Sequence, residues 1–262
     1  MNTGIYLFCL TPPIPLPEIS GNGIDGKHPL FIEVIGGVAA VMAEVELDEF
    51  TGPEAIEKMT DLSWVAPRAL RHEEVILAAM GQGPVLPVRF STVFSSLAAA
   101  AESLLQHQEG LKTFFKDIAC KQEWILKGFA NLPQARARLT AERLAAEKNQ
   151  LEGLSPGKRY FFEQKTKGAV DKETNFWLKG IGEKIETLAR GASVGFNKCR
   201  VQSREASGRS EEMFFHGALL LSELKVAELV AMVDTWNECQ KVLGLQIELS
   251  GPWPPYHFAP LL

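Results

Sequence analysis

The sequence predicts an α+β protein of two domains, the second of which is built in the order βαββαβ. Short β-rich segments and glycine-rich or proline-rich turns fill about the first 50 residues, before any long helical pattern. The pattern of elements starts afresh after about residue 119, and strand, helix, strand, strand, helix and strand follow. We therefore assign domains to residues 1–118 and 119–250, place a helical hairpin at about 134–190, and treat residues 251–262 as a tail.

Composition limits the classes of function. The 262 residues are 46% hydrophobic and 23% charged, which is ordinary for a globular protein. The formal net charge of −5 provides no basic field for a nucleic-acid partner. The longest apolar run, residues 34–43, is about half the ~20 residues of a membrane-spanning helix, and no signal segment opens the chain. We expect a cytoplasmic protein that binds neither nucleic acid nor membrane.

Three strands precede any long helix. Residues 5–10 form a short β-rich segment, and the prolines that follow it cannot donate hydrogen bonds to a sheet. After an irregular loop, residues 30–35 and 38–47 are separated by Gly36 and Gly37, which is the spacing of a β-hairpin. The first domain therefore begins with one strand and a hairpin.

Helices and one more strand complete the first domain. A short helix over 53–59 begins with a first-turn proline, and a longer helix runs from 61 or 63 to 80. Residues 86–90 alternate as a strand, and residues 95–117 are helical with a break near Gly110. The apolar stripe expected on the longer helix consists of Leu62, Val65, Ala69, Ile76 and Met80.

The second domain has strands at 123–130, 193–203, 213–221 and 245–249, with its second helix at 225–243. This order is that of the ferredoxin-like split βαβ unit. The segment between its first two strands is too long for one crossover helix.

That segment predicts a helical hairpin, with arms at 134–150 and 158–190 joined by a glycine- and proline-rich turn. The second arm would extend ~50 Å, and charges of both signs are interleaved along both arms. This charge pattern is typical of a solvated surface and less often marks a partner-docking face. The apolar residues at near-helical spacing on the second arm are Phe162, Ala169, Trp177, Ile181, Ile185 and Leu188.

Arg71, His72, Glu73 and Glu74 form the densest group of ionisable side chains on a helix. One interpretation is an acid/base pair, which Arg89 would assist. The other is a hydrogen-bonded core histidine beside carboxylates that pair with nearby arginines. Both interpretations stay open at this point.

Other chemical motifs are weak. Residues 21–26 match GxGxxG, but a proline-rich loop precedes them and a strand follows, which favours turns over a dinucleotide site. The strand at 213–221 lacks the basic residue and alternating aromatic residues of RNA-recognition domains, and Glu211 and Glu212 place negative charge beside it. The four cysteines and the histidines other than His72 lie singly, so we predict no metal site.

Two segments of the chain together carry a resemblance. The first runs from the helix that carries Arg71 into the strand ending at residue 94, and the second is the closing stretch at 251–258. Both resemble signatures of the gas vesicle protein F/L (GvpF/GvpL) family, which usually has glycine in place of Ser91. The residues that the resemblance marks as structural or interaction sites are Arg71, His72, Glu73, Pro87, Arg89, Phe90, Phe94, Gly251, Pro252, Trp253, Pro254, Pro255, Tyr256 and Phe258.

The resemblance implies a minor, non-catalytic component of the gas vesicle, with two α+β domains of ferredoxin-like character and no cofactor. Such a protein is expected to contact the major, very hydrophobic shell protein and other accessory proteins. By covering apolar surface before assembly, it would limit aggregation of the shell protein during nucleation. The alternatives are an enzyme or small-molecule binder that uses the group from Arg71 to Glu74, and an RNA-binding ferredoxin-like protein.

The closing stretch itself allows two interpretations. Its prolines are expected to end the last strand after Leu249, while Trp253, Tyr256 and Phe258 are too apolar to extend into water. They either latch onto their own chain or bind a partner. With the latch favoured, the helical hairpin and exposed sheet faces become the expected surfaces for the shell protein.

Overall fold

The computed structural model describes residues 3–147 and 151–260. Within them the chain forms two compact units: unit 1 holds residues 3–121 and 254–260, and unit 2 holds Gln122–Trp253. Residues 148–150, the predicted end of the first hairpin arm, and the last two residues of the tail lie outside the described residues. The chain thus returns to its first unit after completing its second.

Unit 1 is built on an antiparallel sheet whose path is β2-β3-β1-β4, with β5 also paired to β1. Both β1 and β2 run antiparallel to β3, and Gly36 and Gly37 form the predicted hairpin turn with positive φ. The strands are β1 (Thr3–Thr11), β2 (Leu30–Ile35), β3 (Val38–Glu46), β4 (Leu86–Pro87) and β5 (Val93–Phe94).

Helices cover both faces of this sheet, which explains why β1 is apolar without alternation. The helices of unit 1 are α1 (Leu47–Phe50), α2 (Pro53–Lys58), α3 (Leu62–Met80), α4 (Leu97–Gln106) and α5 (Gln108–Ile118). Leu7 and Leu10 pack towards α4 and α5, whereas Tyr6, Phe8 and Cys9 pack towards α1 and α3. A register shift between Leu7 and Cys9 puts neighbouring residues on the same face. Among the described residues, both faces of this sheet are packed against helices, and Val34 of the edge strand β2 is 51% exposed.

Two local predictions in unit 1 are corrected. The break in the helical region lies at His107 and not near Gly110, because α4 and α5 each turn a buried face towards the same side of the sheet. The apolar stripe predicted on α3 is only partly correct: Ile76 is buried and Met80 packs against the core, whereas Leu62 is 79% exposed. The residues that α3 buries are His72, Val75, Ile76 and Ala79.

Unit 2 has a four-stranded sheet in the order β7-β8-β6-β9, which is compatible with the predicted ferredoxin-like unit. Its strands are β6 (Lys121–Ala130), β7 (Gly195–Lys198), β8 (Glu212–Ser222) and β9 (Leu245–Trp253). Its helices are α6 (Leu132–Ala146), α7 (Pro156–Ala192), α8 (Arg204–Ser207) and α9 (Val226–Gln240), with 3₁₀ turns on both sides of α9. The strand predicted at 193–203 is shorter in the structure, where β7 covers only Gly195–Lys198. The prediction that prolines end the last strand after Leu249 is wrong, because β9 continues to Trp253.

The predicted helical hairpin consists of α6 and α7. The first half of α7 packs on α6, whereas its second half packs on the sheet, where Gly182 lies against the backbone of Phe214. The apolar face predicted for α7 is therefore displaced, and Leu188 is half exposed. The buried residues are Val170, Thr174, Leu178, Gly182, Ile185 and Ala189. None of the helices in the described part of the chain is long and apolar enough to span a membrane.

Candidate functional site

His72 forms the centre of a hydrogen-bond network inside unit 1. Its Nε2 lies 3.0 Å from the carbonyl oxygen of Val88, which can only accept, so Nε2 carries the proton. Nδ1 then accepts from the Tyr6 hydroxyl at 3.0 Å, and that hydroxyl accepts from the backbone N–H of Ser91 at 3.0 Å. Burial lowers the pKa of His72 to about 4. The residue is a neutral core histidine that joins α3 to β1 and to the segment between β4 and β5.

The charged side chains next to His72 in the sequence contact different parts of unit 1. Arg71 donates from Nε and Nη2 to the carbonyl oxygen of Asn22, at 2.9 and 2.7 Å, and from Nη1 to Glu74 at 3.1 Å. It therefore ties the loop between β1 and β2 to α3, while Glu73 contacts the tail. Each of these side chains has a structural partner, and they do not converge on one cleft. The geometry thus lends no support to an active site built from them.

Ser91 lies in a tight turn. The carbonyl oxygen of Arg89 accepts from the backbone N–H of Thr92 at 3.2 Å, and Ser91 has φ +67°. A positive φ at this position is typical of a type II turn and favours glycine, which explains physically why glycine is usual there. The turn also sends Phe90 to the face of the sheet opposite to Val88, so the predicted alternation over 86–90 is wrong.

Pro87 and Phe94 lie beside β1. Pro87 is paired with Cys9 and is buried, and Phe94 is paired with Ile5. The side chain of Arg89 is exposed. These motif residues position the turn against the central sheet.

The tail residues of unit 1 pack on the same region. Pro254 and Pro255 are buried, and the Tyr256 hydroxyl donates to the Glu73 carboxylate at 2.8 Å. Burial and this carboxylate raise the pKa of Tyr256. Ala259 packs against the core beside β1, while Phe258 is half-buried. A cleft of about 270 Å³ remains under the tail, lined by Pro87, Arg89, Tyr256, Ala259 and neighbouring residues.

The start of the closing stretch belongs to unit 2. Gly251, Pro252 and Trp253 are the last residues of β9, and Trp253 is paired with Glu123 of β6. Gly251 has φ +151°, and a Cβ there would lie 2.8 Å from the ring of Trp124. The chain therefore requires glycine at this place for both space and backbone conformation. The closing stretch is divided after Trp253.

Sequence reasoning missed Tyr6 and Trp124 as partners of the motif residues. Tyr6 stands in an apolar strand, where a buried hydroxyl needs a hydrogen-bond partner. The need for such a partner was the signal in the sequence for this contact. It did not identify His72, which is 66 positions away.

The outward face of α3 carries an exposed apolar row, here called the α3 row. Leu62, Leu70 and Leu77 are 79%, 66% and 42% exposed. Ala66 is exposed between the first two, and the spacing of four, four and seven residues places all four on one side of the helix. Glu73 lies in the same row.

A family model described as gas vesicle synthesis protein GvpL/GvpF matches residues 4–260. The chain belongs to the GvpL/GvpF family. Its membership indicates an accessory role in the gas vesicle and extends over both units, including the tail.

Curated relatives agree with this family. The GvpL/GvpF chain is 25% identical over 256 residues to gas vesicle protein L of a Streptomyces species, covering 97% of this chain and 92% of that protein. It is 26% identical over 271 residues to gas vesicle protein L1 of Halobacterium salinarum, covering 99% and 92%. The crystal structure of gas vesicle protein GvpF from an Anabaena species has a TM-score of 0.66 at 19% identity, with 99% of each chain covered. That similarity supports the two-sheet α+β fold.

Proposed function

We propose that this GvpL/GvpF protein binds the hydrophobic shell protein of the gas vesicle through the α3 row and limits its aggregation during nucleation. The observation that carries the proposal is the α3 row itself. The opposite face of α3 is buried, whereas Leu62 and Leu70 are mostly in water. An exposed apolar row on a well-packed helix is a suitable surface for a second apolar helix.

The row suits a transient contact. Burying a leucine side chain completely is worth roughly 2 kcal/mol, so the exposed fractions of the three leucines correspond to about 4 kcal/mol. Association costs at least about that much in lost translational and rotational freedom, so the row alone gives weak binding. An assembly factor that must release its subunit needs such a contact. The protein would then act in the cytoplasm at the growing vesicle, beside other accessory proteins.

The test compares shell-protein binding and aggregation for the wild type and for Leu70→Glu combined with Leu77→Glu. We expect the wild type to retain shell protein in pull-downs and to slow its aggregation in light scattering, and the double variant to lose both effects. Leu224→Glu, at a position 92% exposed in unit 2, is the matched control and should behave as wild type. If the double variant binds normally, the row is not the binding surface. If the wild type neither binds nor alters aggregation, the proposed function is wrong.

Mass spectrometry of washed, intact vesicles decides whether the protein is retained. Recovery in the vesicle fraction would indicate a minor structural component. Recovery only in the soluble fraction would indicate an assembly factor.

A further inference from the structure

The side of α7 that faces away from α6 carries lysines and phenylalanines in one row. Phe161 and Phe176 are 73% and 81% exposed, although large aromatic side chains usually bury most of their surface. Spacings of three, four and seven residues place the members on one side of the helix. The row, here called the Lys–Phe row, consists of Lys158, Phe161, Lys165, Lys172, Phe176 and Lys179.

The charge of this row is not neutralised by its neighbours. Each acidic residue in the first 25 positions of α7 faces an arginine, which leaves the lysines in excess. Among the described residues, no ion pair includes a lysine of the Lys–Phe row. The arginine pairs are Glu163 with Arg159, Asp171 with Arg136, and Glu173 with Arg143.

The opposite charge is concentrated in unit 1. Residues 44–61 contain seven acidic residues and one lysine, in a chain whose net charge is −5. Within the described part of the chain, Glu49 is the only one of these acids in an ion pair, with Arg68. Glu54 and Glu57 are exposed one helical turn apart on α2, and Ile56 beside them is 70% exposed. We call residues 44–61 the acidic segment.

We propose that copies of this chain associate, with the Lys–Phe row of one copy bound to the acidic segment of the next. The two surfaces are complementary in charge and in apolar character: lysines meet carboxylates, and an exposed phenylalanine meets Ile56. Because the two surfaces differ, the contact is heterologous, unlike the self-complementary contact of a two-fold dimer. The Lys–Phe row takes no part in the shell-protein contact proposed for the α3 row.

A polyanion or a membrane fits the row less well. Phe161 and Phe176 are 15 residues apart, which is about 22 Å along the helix, and lysines lie between them. A helix that lies on a membrane needs a continuous apolar face, which this spacing does not provide. A nucleic acid would meet the repulsion of a chain with net negative charge.

The test is a charge-swap experiment in the analytical ultracentrifuge with the whole chain. One variant reverses the row by Lys165→Glu and Lys172→Glu, a second reverses the acidic segment by Glu54→Lys and Glu57→Lys, and a third combines all four changes. The matched control combines Lys184→Glu, off the row on the same helix, with Glu102→Lys. Circular dichroism verifies that each variant is folded.

At low ionic strength we expect the average mass of the wild type and the control to rise with protein concentration. Each one-sided reversal should give monomers, and the combined variant should associate again. At about 1 M salt, where the screening length falls to ~3 Å, association should be lost.

Two results would overturn the proposal. The wild type could remain monomeric at every concentration, or the combined variant could fail to regain association. A monomeric wild type could instead bind oligothymidylate or phosphatidylglycerol vesicles and lose that binding on Lys165→Glu and Lys172→Glu, which would assign the row to a polyanion.

Discussion

Acidification should destabilise unit 1 through His72. Its ring is neutral in the folded chain, with Nε2–H donating to Val88 and Nδ1 accepting from Tyr6. Protonation would put a second N–H at Nδ1, where the Tyr6 hydroxyl hydrogen already points, and would place a charge in an apolar core. Folding therefore opposes protonation.

The magnitude follows from the pKa difference. The pKa of His72 falls from its ordinary 6.5 to about 4 on folding. One pKa unit is worth 1.36 kcal/mol, so the difference corresponds to about 3 kcal/mol. Above pH 6.5 both states are neutral and the full stability is present. Below it the unfolded chain binds the proton first, so stability falls until the pH reaches about 4 and then levels off.

The assay is urea unfolding of the wild type and of His72→Gln between about pH 7.5 and pH 4. Glutamine can keep a donor towards Val88 but does not titrate, so the variant should be less stable at neutral pH and less sensitive to acid. The wild type should lose about 3 kcal/mol more than the variant over this interval. His107→Gln, at an exposed position, is the control and should keep the wild-type slope. Equal slopes for the wild type and His72→Gln would refute the reasoning.

The motif geometry predicts the effects of four further substitutions. Ser91→Gly should raise the free energy of unfolding by about 0.5–1 kcal/mol, because it relieves a positive φ that costs other residues ~1–2 kcal/mol; a lower melting temperature would contradict this. Gly251→Ala should lower the free energy of unfolding by roughly 2–4 kcal/mol, because the new Cβ would lie 2.8 Å from the ring of Trp124. An unchanged urea midpoint would show that the strand adjusts to the methyl group without loss of stability. Tyr256→Phe and Glu73→Gln should each lower the free energy of unfolding by about 0.5–1.5 kcal/mol, and the double variant should lose little more than either. Additive losses in this double-mutant cycle would mean that the two side chains do not interact.

Local signals were sufficient for much of the fold. The hairpin at Gly36 and Gly37 was predicted correctly, and Asp61, one of the two predicted starts of α3, is the N-cap of that helix, because turn and capping residues act on their immediate neighbours. The α+β class followed from the same signals. Which residues of α3 and α7 are buried depends on the elements packed against these helices, and those predictions were only partly correct. Ile76 and Ile185 are buried, whereas Leu62 and Leu188 are exposed. The continuation of β9 past Leu249 depends on β6, which is more than 100 positions away in the chain.

For the candidate site, too, the sequence indicated the character of single residues but not their distant partners. The interpretation of His72 as a hydrogen-bonded core histidine agrees with its contacts. Its partner Tyr6 is 66 positions away, and Glu73 meets Tyr256 across 183 positions. No spacing rule connects such residues, because their proximity is a product of the tertiary fold. The residue types indicated that partners were needed, and only the structure identified them.

Because unit 1 is interrupted by unit 2, its parts emerge from the ribosome at very different times. The sheet and α3 are synthesised first, but Pro254, Pro255 and Tyr256 follow only after all of Gln122–Trp253. During that interval Glu73 has no tyrosine hydroxyl to accept from, and the surface later occupied by the tail is exposed to water. A fragment ending at residue 121 would thus lack buried residues of its own core. Completion of the earliest-made unit is coupled to synthesis of the latest residues, so nascent and prematurely terminated chains should be recognisable by this unfinished surface.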